Sequence, residues 1–287
     1  MDKQIERIVD EYRSEKIDRR GFLSRITALS GTYAAAHLLL EQTGLAQTVL
    51  SEKESKKANV DSSVVEYKNG SVDLSGYLSK PLKKGKYPAI IVIHENRGLN
   101  EHTRGVARRF AESGYVALAT DALSRSGGTA SFDTPEKVRE AFGKLDMKEV
   151  MSDLDASLNF LNSHENVKKD RLASIGFCWG GARSFLLATE PNKLKAAVVF
   201  YGTAPTGDQL AKVHAPVLGI YGETDTRITS KVPETDAEMK KLKKPFEYKI
   251  YAGAGHAFFN DTGDRYNAEA AADAWVRTLA FLKKNVK

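Results

Sequence analysis

A chain of 287 residues, 41% hydrophobic and 28% charged, has the composition of an ordinary globular protein and enough length for one large core. Its net charge of +6 is modest and its lysines are scattered, with no basic stripe interleaved with aromatics, which argues against a nucleic-acid partner. A single cysteine excludes an intramolecular disulfide framework and a cysteine-built zinc cluster.

The first fifty residues read differently from the rest. Asp18-Arg19-Arg20-Gly21-Phe22-Leu23-Ser24 precedes the mostly apolar stretch Ile26 to Leu40, a pattern similar to a twin-arginine export signal, with a small-residue region near Ala46 as the cleavage site. Such a leader predicts a periplasmic or secreted protein. The alternative is a retained two-helix extension on a cytoplasmic protein, favoured by Asp2, Glu6, Asp10, Glu11 and Glu15 and by His37 within the apolar stretch. That stretch falls short of the roughly 20 apolar residues that a membrane helix needs, so no stable span is expected. Ser51 to Lys57 is a polar linker, and the expected division is an extension with linker over 1–60 and a main domain over 61–287.

In the main domain, Ser63 to Tyr67 and Val72 to Leu78 alternate around Asn69-Gly70 and predict a β-hairpin. Pro88 to His94 is a continuous apolar run, as expected for a strand buried on both faces of a parallel sheet. A helix about Arg104 to Ser113, a strand Tyr115 to Thr120, a loop through Gly127-Gly128 and a long helical region ending near Asn162 continue a βαβ pattern. The apolar run Leu172 to Ile175 leads into Gly176-Phe177-Cys178-Trp179-Gly180-Gly181 and then a helix over Ala182 to Leu187. Strands are predicted at Ala196 to Gly202, Pro216 to Gly222 and Phe246 to Tyr251, before an amphipathic helix over Asn267 to Lys284. About eight strands with interleaved helices predict an α/β-hydrolase fold, a mostly parallel sheet with helices on both faces.

Gly-x-Cys-x-Gly between a strand and a helix is a nucleophile elbow, in which a reactive side chain sits at the tip of a sharp turn and small residues on either side let the backbone pass. Cys178 occupies the tip. A buried structural cysteine would account for the thiol but not for the flanking glycines. A thiol nucleophile needs a base, and the base needs a third group to set its tautomer. In this fold the acid follows the nucleophile and the histidine comes last. Asp225, in Gly222-Glu223-Thr224-Asp225, and His256, in Gly253-Ala254-Gly255-His256, both follow predicted strands. Glu223 competes with Asp225 for the role of acid. His37, His102, His164 and His214 stand outside this order.

Together, Glu95 within His94-Glu95-Asn96-Arg97-Gly98, the elbow at Cys178, the loop holding Asp225 and the turn holding His256 resemble the dienelactone hydrolase family of cysteine α/β-hydrolases, over about residues 63 to 284. The resemblance implies Cys178 as nucleophile, His256 as base, Asp225 as acid, and Glu95 as a group that contacts the resting thiol and releases it when substrate binds. It implies an oxyanion hole formed by the backbone N–H groups of Trp179 and Asn96. No metal or organic cofactor is implied. The family grips a substrate carboxylate with two arginines; here Arg125 stands at the first position and Asn260 at the second. Loss of one guanidinium weakens anion binding by about 1.5–3 kcal/mol, so dienelactone itself is a doubtful substrate, with Arg97 or Arg227 as candidate replacements. The expected activity is hydrolysis of a small-molecule ester or lactone through a thioester, by a monomer or dimer. The alternatives are a non-catalytic ligand-binding protein of the same fold, or a redox protein built on the thiol.

Overall fold

The computed structural model describes residues 60–191 and 193–286, together with Ile8 and Glu11. The chain divides into two units, Met1–Ala58 and Asn59–Lys287; the twin-arginine-like segment Asp18 to Leu40 lies outside the described residues. In the second unit, β1 (Val60–Asn69) and β2 (Val72–Pro81) form the predicted hairpin. Asn69 pairs with Val72, so the two-residue loop is Gly70-Ser71 and Gly70 takes the positive φ of 60° that such a tight connection demands of its first residue.

The remaining strands are β3 (Tyr87–Ile93), β4 (Val116–Thr120), β5 (Val167–Phe177), β6 (Ala196–Phe200), β7 (Val217–Gly222) and β8 (Phe246–Tyr251). They form one eight-stranded sheet in the order β1-β2-β4-β3-β5-β6-β7-β8. β1, β2 and β4 pair antiparallel, and every other pairing is parallel. The helices are α1 (Glu101–Glu112), α2 (Pro135–Gly143), α3 (Met147–Ser163), α4 (Trp179–Leu187), α5 (Val232–Lys241) and α6 (Ala268–Asn285), with single turns at Gly207–Leu210 and Thr226–Thr229. The long helical region expected before Asn162 is two helices. Thr134 caps the first with Pro135 at its start, and Asp146 caps the second by accepting from the N–H groups of Lys148 and Glu149, so local cap chemistry breaks the run.

The continuous apolar character of β3 follows from its place between two helical layers. Ile90 and Val92 belong to one core with Val106 and Phe110 of α1 and Ala274, Phe281 and Leu282 of α6. Ala89, Ile91 and Ile93 belong to the other, with Leu154, Leu158 and Leu161 of α3 and Phe185 of α4. Successive side chains point to opposite faces, so both sets must be apolar; burying each large one stabilises the fold by about 1.5–3 kcal/mol. This is the α/β-hydrolase arrangement. None of the described helices is long and apolar enough to cross a membrane.

The strand order places the site. The chain leaves β3 through α1 to β4 on one side and later returns to β5 on the other, so the C-terminal ends of β3 and β5 flank the point where the order reverses. In open α/β sheets ligands bind at this crevice. Ile93 is in register with Gly176, which sets His94-Glu95-Asn96 beside Phe177-Cys178-Trp179.

Candidate active site

Cys178 lies between β5 and α4 with φ 53° and ψ −111°, a strained conformation for a residue with a side chain. Helix α4 starts immediately, at Trp179, three residues earlier than its apolar pattern alone indicates, because the elbow leaves no connecting loop. The flanking glycines are required by close approach. A Cβ on Gly176 would lie 2.0 Å from the Gly180 carbonyl oxygen, and one on Gly180 would lie 2.4 Å from the Ile93 carbonyl oxygen. Two other residues with side chains hold positive φ beside the site, Tyr201 at 38° and Ala257 at 65°. Such strain persists only where surrounding structure imposes it, and it gathers at functional sites.

His256 Nε2 is 3.0 Å from Cys178 Sγ, and His256 Nδ1 is 2.5 Å from Asp225 Oδ2. The histidine side chain is 18% exposed and the aspartate 7%, so water competes weakly for either contact. Asp225 is fixed in turn, because its carbonyl oxygen accepts from the N–H groups of Ile228 and Thr229. Glu223, the competing carboxylate, faces elsewhere and accepts from the Gly253 N–H at 2.9 Å. With Asp225 accepting from Nδ1–H, Nε2 is the bare nitrogen and can take the thiol proton.

The thiol's pKa is raised, first by burial, then by the Glu95 carboxylate and, more weakly, by Asp225; the Trp179 N–H and Arg227 act in the opposite direction. A standing thiolate is therefore disfavoured. Glu95 is 7% exposed. Its Oε1 accepts from the Tyr201 hydroxyl at 3.3 Å and its Oε2 from the Asn260 amide at 3.2 Å. The hydrogen-bond partner of the sulfur is His256, and the Glu95 carboxylate, which the resemblance places against the resting thiol, raises the thiol's pKa through its charge.

The N–H of Trp179 is the first of helix α4, without an acceptor four residues back in the helix, and it acts to lower the thiol's pKa. Asn96 follows at the end of β3, with its side chain exposed.

Among the residues expected to contact substrate, Arg125, Asn260 and Arg97 are placed differently from one another. Arg125 binds Asp153 through Nε at 2.7 Å and Nη2 at 2.9 Å, and Glu149 through Nη1 at 3.1 Å, so its charge is already matched. Asn260 is buried; its amide N–H is spent on Glu95 and its oxygen accepts from the N–H and hydroxyl of Thr262. Arg97 is exposed and has no acidic partner among the described residues.

Two residues outside the sequence expectations join the site. Tyr201 donates to Glu95, and its ring lies 5.1 Å from that of His256; it directly follows β6 as the polar member of Phe200-Tyr201-Gly202. His94 ends the β3 run, is fully buried, and stacks on Trp179 with ring centroids 5.8 Å apart. Position at the C-terminal end of a sheet strand is the signal that both share.

Residues 74–286 match a model of the dienelactone hydrolase family. A Saccharolobus solfataricus protein assigned as a carboxymethylenebutenolidase is 33% identical over 251 residues, 76% of this chain and 96% of that protein. A Bradyrhizobium protein assigned as a 2-oxo-3-(5-oxofuran-2-ylidene)propanoate lactonase is 36% identical over 227 residues, 75% of this chain and 90% of its own length. Among solved structures, a Klebsiella pneumoniae protein assigned as a dienelactone hydrolase superposes with a TM-score of 0.70 at 30% identity, covering 78% of this chain and 99% of that one.

Proposed function

Given that the chain belongs to the dienelactone hydrolase family, we propose that it hydrolyses a small ester or lactone with Cys178 as nucleophile, His256 as general base and acid, and Asp225 as the group that orients and stabilises His256. The observation that carries this reading is the continuous chain from Cys178 Sγ to His256 Nε2 at 3.0 Å and from His256 Nδ1 to Asp225 Oδ2 at 2.5 Å. As the sulfur attacks the carbonyl carbon, its proton passes to Nε2 and the positive imidazolium is stabilised by Asp225. The carbonyl oxygen becomes an oxyanion held by the N–H groups of Trp179 and Asn96; a donor of this kind contributes about 10²–10³ to kcat. Collapse breaks the carbon–oxygen bond, the leaving alkoxide takes the proton from Nε2, and a thioester remains. Water then attacks the thioester while Nε2 accepts its proton, and the second collapse returns that proton to the departing thiolate. A lactone opens by the same steps, with both product ends in one molecule.

Burial of the thiol supports a hydrolase over a redox sensor, since a sensor depends on a standing thiolate and here the thiol's pKa is raised. The arrangement of Arg125 and Asn260 favours substrates that need no two-arginine grip on a carboxylate. The test is turnover of an activated aryl ester by the wild-type protein and by Cys178→Ala, with mass spectrometry of the wild-type protein during the first turnover. Loss of turnover in the variant and an acyl adduct on Cys178 are expected. Hydrolysis by Cys178→Ala at the wild-type rate would sink the thioester mechanism.

A further inference from the structure

The peptide joining Glu95 to Asn96 is held by a side chain that the triad does not use. His94 is fully buried; its Nδ1 lies 2.6 Å from the Glu95 carbonyl oxygen, and its Nε2 lies 3.1 Å from the backbone nitrogen of Ala122. A backbone N–H can only donate, so Nε2 is the bare nitrogen and Nδ1 carries the proton that reaches the Glu95 carbonyl. The described residues contain no cis peptide. In a planar trans peptide the C=O and N–H point in opposite directions, so anchoring the oxygen of Glu95 fixes the direction of the Asn96 N–H.

The same imidazole lies nearly parallel to the Trp179 indole, with an interplanar angle of 11° and centroids 5.8 Å apart. Phe142 meets both rings edge-on, at 5.5 Å from His94 and 5.1 Å from Trp179. One buried ring therefore braces the peptide carrying the Asn96 N–H and the residue carrying the Trp179 N–H. A phenylalanine would fill the same space but leave the Ala122 N–H and the Glu95 carbonyl without their partner. Doubly protonated, the ring would turn an N–H against the Ala122 N–H.

We propose that His94 is the positioning residue of the oxyanion hole: as the neutral Nδ1–H tautomer it aims the Asn96 N–H and sets its spacing from the Trp179 N–H. This rests on the thioester reading above. His94→Asn keeps a donor near the place of Nδ1 and loses the acceptor for Ala122. His94→Gln offers an oxygen to Ala122 and loses the short donor to Glu95. On an activated aryl ester, His94→Gln is expected to lose about 10²-fold in kcat, the cost of misplacing a catalytic group by about 1 Å, with KM unchanged; His94→Asn is expected to keep most of its kcat.

Alkylation of Cys178 by iodoacetamide, which forms no oxyanion, is expected to proceed at the wild-type rate in both variants. A wild-type kcat in His94→Gln, or an alkylation rate that falls in parallel with kcat, overturns the proposal. A measurement that needs no variant is the ¹⁵N spectrum of the wild-type His94 ring: a protonated Nδ1 supports the assignment, and a protonated Nε2 overturns it. Inactive Cys178→Ala beside fully active His94→Gln overturns the positioning role alone, whereas fully active Cys178→Ala overturns the thioester reading with it.

Discussion

Gly180→Ala probes a close approach between the elbow and the backbone at the end of β3. The added Cβ would lie 2.4 Å from the Ile93 carbonyl oxygen, 2.5 Å from that of His94 and 2.7 Å from the Ile93 carbonyl carbon, whereas ordinary contact begins at 3.4 Å. The shortfall is about 1 Å against backbone atoms, which no side-chain rotation relieves. Either α4 backs away from the sheet or the end of β3 yields, and each movement shifts Cys178 relative to Asn96. A misplacement of this size costs about 10²-fold in rate, or about 2.7 kcal/mol of transition-state stabilisation. Overpacking adds about 1–3 kcal/mol of lost stability, at roughly 2–4 °C of melting temperature per kcal/mol for a domain of this size. The assay is kcat/KM on an activated aryl ester together with the thermal midpoint by circular dichroism. Gly143→Ala serves as control, because its Cβ meets nothing within 4 Å. Wild-type kcat/KM and an unchanged midpoint in Gly180→Ala would refute the argument that this contact sets the site's geometry.

Asp225→Asn is expected to lower kcat by between about 10² and 10⁴, through loss of the correct His256 tautomer and of its stabilising charge. Glu223→Gln, which touches only the exposed Gly253 N–H, should leave kcat unchanged; steady-state kinetics of the two variants decide which carboxylate serves His256. Glu95→Gln tests the electrostatic link to the thiol. The carboxylate raises the thiol pKa, so the neutral amide should lower it, shifting the pH profile of Cys178 alkylation toward acid and increasing the rate at any pH below the wild-type pKa. An unmoved profile would show that Glu95 does not act on the resting thiol through its charge.

Much of the fold was legible because its signals are local. Ala89 to Ile93 form an unbroken apolar run because two helical layers cover the strand, and the glycines around Cys178 sit where a Cβ would meet backbone. The same reasoning joined two helices into one region, since the Thr134 and Asp146 caps interrupt an otherwise continuous helical pattern. It also began α4 at Ala182, since the helix pattern carries no record of a turn without a loop.

The chain by itself determined the alternation of strands and helices, the elbow, and the order of Cys178, Asp225 and His256, because spacing and periodicity act between neighbours along the backbone. Only the tertiary structure decided that His256 faces Asp225 and not Glu223, that Arg125 is occupied by Asp153 and Glu149, and that Asn260 holds Glu95 across 165 positions of sequence. It alone joined His94 to Ala122 and Tyr201 to Glu95. These partners come from the ends of different strands, and a hydrogen bond between strand ends depends on sheet order and on the direction of each side chain. Neither quantity repeats along the chain, so no local pattern carries it.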